Sequence, residues 1–79
     1  MKKWEYLYIV EYFDYQADQW VIAFTDDAGE RQEYPVDQKQ ALLGDLGKEG
    51  WELVSVDSYV PGGSKTMDTK LYFKRELED

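Results

Sequence analysis

The residues best placed to do chemistry lie in a loop near the end of the chain, Gly62-Gly63-Ser64-Lys65-Thr66. The run is similar to the end of a phosphate-binding loop, and Ser64 beside Lys65 resembles a nucleophile with its base. A phosphate-binding loop also needs an earlier glycine and a following helix whose N-terminus faces the phosphate. Here the lysine follows a serine, the earlier glycine is missing and a strand pattern follows. We therefore predict a hairpin loop.

Other catalytic and metal-binding arrangements are restricted by the absence of histidine and cysteine. Ser-His and Cys-His pairs cannot form, and neither can a disulfide or a thiolate zinc site. Asp26, Asp27 and Glu30 surround Gly29 but lack the ligand spacing of a calcium loop, which favours a solvated turn.

Three acids, Glu5, Glu11 and Glu52, lie within apolar strand patterns, where burial could raise the pKa of a carboxyl group. Such residues more often face solvent or pair with a lysine on the neighbouring strand. We predict no catalytic, cofactor-binding or metal-binding residue and a protein that is not an enzyme.

Length and charge restrict the class of protein. The 79 residues, 43% of them hydrophobic, suffice for one domain over residues 1–79 with a small core. The net charge of −8 disfavours binding to nucleic acid or to anionic lipid. No apolar run is long enough to span a membrane, and no apolar segment follows Lys2 and Lys3 to make a signal peptide. We expect a cytoplasmic protein.

The elements follow from alternation and turn residues. We predict strands over residues 4–13, 19–25, 30–34, 51–60 and 66–75. Both faces of the first strand are apolar, which is typical of a central strand. In the fourth, Val54, Val56 and Val60 alternate with Leu53 and Tyr59. Pro35 should end the third strand, and residues 76–79 should form a frayed acidic tail.

One helix is predicted over residues 38–49. Asp37 and Gln40 have the spacing of a capping box, and Gly50 is placed to end the helix in the left-handed conformation. Gly44 and Gly47 inside the helix each cost about 1 kcal/mol relative to alanine. That cost suggests a close approach of the helix backbone to a large aromatic side chain, for which Trp51 is the candidate.

The predicted fold is α+β with element order βββαββ. A single sheet of four to five strands, antiparallel or mixed, would carry the helix on one face. The last strand would insert beside the first to give the order 3-2-1-5-4. One helix covers only one face of such a sheet. A large uncovered apolar face usually marks an interface, so we expect a homo-oligomer, most simply a dimer.

Three segments resemble a known family. Trp4-Glu5-Tyr6, the run Gly47-Lys48-Glu49-Gly50-Trp51-Glu52-Leu53-Val54 after Leu42–Leu46, and Tyr72-Phe73-Lys74-Arg75 are similar to a family of small bacterial domains of unknown function with a WEY…LGxEGWELV…FKR pattern. The resemblance covers more than a third of the chain and implies a compact α+β fold. It implies no activity, and the second hairpin, residues 14–34, looks like an insertion beyond the family's core.

Two groups of residues are candidates for binding. Because Tyr and Trp dominate interface energetics, exposed anchors are sought among Tyr6, Tyr8, Trp20, Trp51 and Tyr59. If the first and last strands pair, Lys2 and Lys3 lie near Lys74 and Arg75, and Lys3, Lys74 and Arg75 become a candidate anion contact. Solvated strand-end charges are the alternative.

The sequence therefore favours a small non-enzymatic module that acts through protein–protein contact, self-association included, without cofactors. The alternative is a small-ligand binding protein with an aromatic pocket, either between sheet and helix or between subunits.

Overall fold

The computed structural model describes residues 1–25 and 28–77. Its elements are β1 (Trp4–Asp14), β2 (Gln19–Thr25), β3 (Arg31–Pro35), a 3-10 turn (Val36–Gln38), α1 (Lys39–Lys48), β4 (Glu52–Tyr59) and β5 (Asp68–Glu76). The sheet order is β3-β2-β1-β5-β4, and every pairing is antiparallel. The predicted α+β class, element order and strand order are confirmed.

The core lies on the helix side of the sheet, the face on which α1 packs. Its buried side chains come from the three inner strands, β2, β1 and β5, and from the helix: Ile9, Ile22, Leu46, Leu71 and Phe73. Burying one such side chain contributes about 1.5–3 kcal/mol. β1 is the central strand, as its two apolar faces predicted, but its second apolar face is exposed at Trp4, Tyr6 and Tyr8.

The predicted start of the helix is wrong in detail. Pro35 belongs to β3, opposite Val21, and the chain then enters a 3-10 turn. Asp37 lies inside that turn, and neither Pro35 nor Gln38, the residues that precede the two helical segments, makes a side-chain capping bond. The capping box does not form because Asp37 is already helical.

The end of the helix confirms the role predicted for Gly50, which has a φ of +91°. The Gly50 N–H donates to the Gly47 carbonyl and the Trp51 N–H donates to the Leu46 carbonyl, each at 3.0 Å. These two bonds define a Schellman motif, which satisfies carbonyls that the helix end leaves unpaired. A left-handed residue is required at its centre, and glycine adopts that conformation without steric cost.

The close approach predicted at Gly44 and Gly47 is wrong. A Cβ atom built on either glycine meets nothing within 4 Å, because both lie on the exposed side of α1. Leu46 is the buried residue of this helix, and Trp51 packs against the core rather than over the glycines.

The phase of β4 also differs from the prediction. A register irregularity between Leu53 and Ser55 shifts the alternation, so that Leu53 pairs with Phe73 and Val56 with Leu71 on the helix side. Tyr59, predicted to share a face with Leu53, instead lies on the opposite side. The irregularity inserts one extra residue into the strand, and alternation alone does not reveal such an insertion.

The prediction of a frayed tail over residues 76–79 is wrong for its first two residues. Glu76 is the last residue of β5, opposite Trp4, and the Leu77 N–H donates to the Lys3 carbonyl at 2.8 Å. Residues 78–79 and the first half of the predicted turn over residues 26–29 lie outside the described residues, while Gly29 in its second half has the positive φ, +82°, that was predicted.

Candidate functional site

The open face, the side of the sheet away from α1, carries a row of aromatic and lysine side chains. Alternate residues of β1, β4 and β5 supply them: Trp4, Tyr6, Tyr8, Tyr59, Lys70, Tyr72 and Lys74. Lys74 Nζ lies 4.4 Å from the centre of the Trp4 ring. Lys70 Nζ lies 5.5 Å from the Tyr8 ring and 5.4 Å from the Tyr59 ring. These distances are typical of cation–π contacts, in which each ammonium group lies over an aromatic ring.

The β2–β3 part of the open face is covered by a polar network. Tyr12 Oη donates to Glu33 Oε1 at 3.1 Å, and Arg31 Nε donates to the same oxygen at 2.9 Å. The Arg31 hydrogen bond, reinforced by Tyr12, lowers the pKa of Glu33. Val21 and Ala23 occupy this side of β2 with only 5% and 1% of their surface exposed. Part of the open face is therefore closed by the chain's own polar side chains.

The predicted aromatic anchors divide between the two sides of the sheet. Tyr6, Tyr8 and Tyr59 lie on the open face and are exposed, Tyr6 by 73%. Trp20 lies on the helix side, edge-on to Phe13 at 5.6 Å between ring centres. The five anchors do not form one surface, and their role in binding stays a prediction.

Trp51 is half-buried on the helix side beneath a cation. The Arg75 guanidinium lies 4.4 Å from the centre of the Trp51 ring, donates to the Glu49 carbonyl at 3.3 Å and is ion-paired with Glu5. The indole thus contacts both the core and an arginine, and the part that stays exposed lines the cleft between helix and sheet.

The candidate anion contact is not brought together. β1 and β5 do pair as expected, but consecutive strand residues point to opposite faces. Lys74 therefore lies on the open face and Arg75 on the helix side, while Lys3 lies exposed just before β1.

An aliphatic strip runs along β4, with Leu53 and Val56 on the helix side of the sheet. It consists of Leu53, Val54 and Val56 of β4, exposed by 47%, 46% and 56%. All eight residues of β4 are exposed, and the strand is an edge of the sheet. We call this strand with its three aliphatic side chains the β4 edge. The predicted strand order already placed β4 at an edge, so edge position and aliphatic content together were the signal that sequence reasoning missed.

A cleft of about 480 Å³ lies between the C-terminal half of α1 and the sheet. Its lining residues are Leu7, Phe24, Ala28, Leu42, Asp45, Leu46, Glu49 and Trp51. The sequence left a ligand pocket between sheet and helix as one alternative, and ligand binding there stays a prediction.

The serine–lysine loop is tied by its own side chains. The Ser64 N–H donates to the Pro61 carbonyl at 3.0 Å, and Ser64 Oγ donates to the Thr66 carbonyl at 3.1 Å. Tyr15 Oη lies 3.2 Å from Thr66 Oγ1, and this hydrogen bond lowers the pKa of Tyr15. The Ser64 hydroxyl is engaged within the turn.

Two further findings concern metal and membrane. Within residues 1–25 and 28–77, no three acidic side chains are grouped closely enough to hold a metal ion. The helix in the described part of the chain is too short to cross a membrane.

Comparison of the chain with family models, curated proteins and solved structures gave no match, so the resemblance to the WEY…GWELV…FKR family stays a prediction.

Proposed function

We propose that this chain is an interaction module that self-associates by pairing its β4 edge with the β4 edge of a second copy. The observation that carries the proposal is that β4 is an edge strand with all eight residues exposed, among them the aliphatic residues Leu53, Val54 and Val56. An edge strand offers a row of unpaired N–H and C=O groups, which is a template for pairing with another strand.

The other edge of the sheet is protected. β3 is only five residues long, and three of them, Arg31, Gln32 and Glu33, have polar or charged side chains. It ends in Pro35, which has no N–H to donate. Short length, charge and proline are the features that keep edge strands from pairing. β4 is longer, has no proline and has no basic residue.

A second copy is favoured because β4 complements itself at one register. A twofold axis at Val56 brings the two Val56 side chains together and sets Ser55 opposite Asp57 of the partner subunit. The serine hydroxyl can then donate to the carboxylate. An axis at Asp57 would place two carboxylates directly opposite each other, which is destabilising. Pairing also removes the Leu53 and Val56 side chains from water, which contributes about 25 cal/mol per Å² of apolar surface.

Light scattering on a size-exclusion column tests the proposal. Over about 1 to 100 µM we expect the mass to rise toward twice the 9.3 kDa of the chain. Val56→Lys should shift the midpoint to at least tenfold higher concentration, because an edge lysine is a charge that opposes strand pairing.

Val36→Lys is the matched control, since it makes the same change at an exposed valine beyond the protected β3. It should associate like the parent chain. Circular dichroism at a concentration where the parent is monomeric checks that both variants fold. A monomer at about 100 µM, or equal effects of the two substitutions, would contradict the proposal.

A further inference from the structure

The C-terminal end of α1 carries two acids in an unfavourable position. Asp45 and Glu49 are four residues apart, so their carboxylates lie on the same side of the helix and repel each other. They also lie where the helix dipole is negative, which favours cations and opposes acids. None of the ion pairs among the described residues includes either carboxylate.

These two acids border the cleft between helix and sheet. The rest of its wall is mainly apolar: Leu7, Phe24, Leu42, Leu46 and Trp51. Its volume of about 480 Å³ is within the range of roughly 300–1,000 Å³ typical of small-molecule sites. An apolar wall with a few convergent polar groups is the usual composition of such sites.

We propose that this cleft binds a small amphipathic cation, a molecule with an aromatic or aliphatic body and one ammonium group. The body lies against Trp51 and Leu42, and the ammonium group lies between the carboxylates of Asp45 and Glu49. Binding relieves the repulsion of the two acids and neutralises charge at the negative end of the helix. An anion of the same shape meets repulsion at the rim, and a neutral molecule leaves the two acids unrelieved.

Arg75 does not take the place of this ligand. Its guanidinium is ion-paired with Glu5, covers the Trp51 ring and reaches the backbone carbonyl of Glu49 rather than its carboxylate. It holds the indole in position as one wall of the cleft. The site is formed within one chain, so the inference does not depend on self-association.

Three probes that share one apolar body test the charge preference: 4-phenylbutylamine, 4-phenylbutanol and 4-phenylbutyrate. NMR titration should show saturable shifts of the Trp51 indole N–H and of the Leu42 and Phe24 signals with the amine. The alcohol should bind several-fold more weakly and the carboxylate most weakly. In Asp45→Asn/Glu49→Gln, affinity for the amine should fall by roughly tenfold, since each exposed charge pair contributes a factor of about two to five.

The matched control is Asp18→Asn/Asp68→Asn, which removes two acids that lie outside both the cleft and β4 and leaves the net charge equal to that of the test variant. It should bind the amine nearly as the parent does. The proposal would be overturned if the three probes bound with equal affinity, or if both double variants lost the same affinity for the amine. Chemical shift changes confined to residues outside the cleft would overturn it too. So would the absence of any shift at millimolar amine.

Discussion

At the scale of single residues, the network of Tyr12, Arg31 and Glu33 gives the chain a defined response to acid. The Arg31 hydrogen bond, with a second from Tyr12, holds the pKa of Glu33 below its ordinary value of 4.5. A carboxyl whose pKa is lower in the folded than in the unfolded chain stabilises the fold above the unfolded pKa. That contribution is lost as the pH falls through the folded pKa.

We therefore expect the free energy of unfolding to fall less in the Glu33→Gln variant than in the parent chain when the pH is lowered from about 7 to about 3. Urea unfolding at both pH values measures the difference. Glu52→Gln removes an acid from the same face without touching this network, and it should retain the acid sensitivity of the parent. Identical pH dependence in the parent and in Glu33→Gln would show that the network contributes nothing to stability.

Other contacts between single residues could not be predicted from the sequence. Arg75 and Lys74 are neighbours in the chain, and their separation onto opposite faces follows from strand geometry once the pairing is known. The contacts of Arg75 with Glu5 and Trp51 join β5 to β1 and to the segment between α1 and β4, and no local sequence pattern predicts them.

At the scale of elements, the glycines of α1 and of its C-terminus should respond in opposite directions to the same substitution. Gly44→Ala and Gly47→Ala should each raise the free energy of unfolding by about 1 kcal/mol, because a Cβ atom there meets open space and alanine favours the helix. Gly50→Ala should lower it by about 1 kcal/mol or more, since its φ of +91° is strained for a residue with a side chain.

Chemical denaturation of the three variants measures these changes, and the opposite signs provide the internal control. Destabilisation by Gly44→Ala or Gly47→Ala would indicate that a partner or another segment packs closely on that side of the helix.

The elements themselves were largely predictable because their signals are local or depend on simple topology. β2 was predicted at its observed bounds, and the central place of β1 followed from two apolar faces. β4 was misassigned in phase because the irregularity between Leu53 and Ser55 is set by pairing with β5, which alternation does not encode. The edge position and the aliphatic content of β4 could be read from the sequence, but the exposure of Leu53 could not, because it depends on how far α1 extends across the sheet.

At the scale of the whole molecule, the net charge of −8 acts on the two proposed interactions in opposite ways. Two copies that pair through their β4 edges repel each other, while the attraction comes from backbone hydrogen bonds and aliphatic burial. A small cation is attracted both by the chain as a whole and by Asp45 and Glu49. Salt screens exposed charges, with a Debye length of about 10 Å at 0.1 M.

Raising sodium chloride from about 20 mM to about 500 mM should therefore strengthen self-association and weaken binding of 4-phenylbutylamine. Sedimentation equilibrium measures the first effect and NMR titration the second. Val56→Lys should remain the weaker associator at high salt, because screening removes repulsion but does not restore the lost aliphatic contact. If salt instead weakened self-association, charge attraction between copies would be its source, and an interface through the lysines and acids of the open face would replace the β4 edge. Amine binding insensitive to salt would mean that the apolar wall alone holds the ligand and that the rim acids play no part.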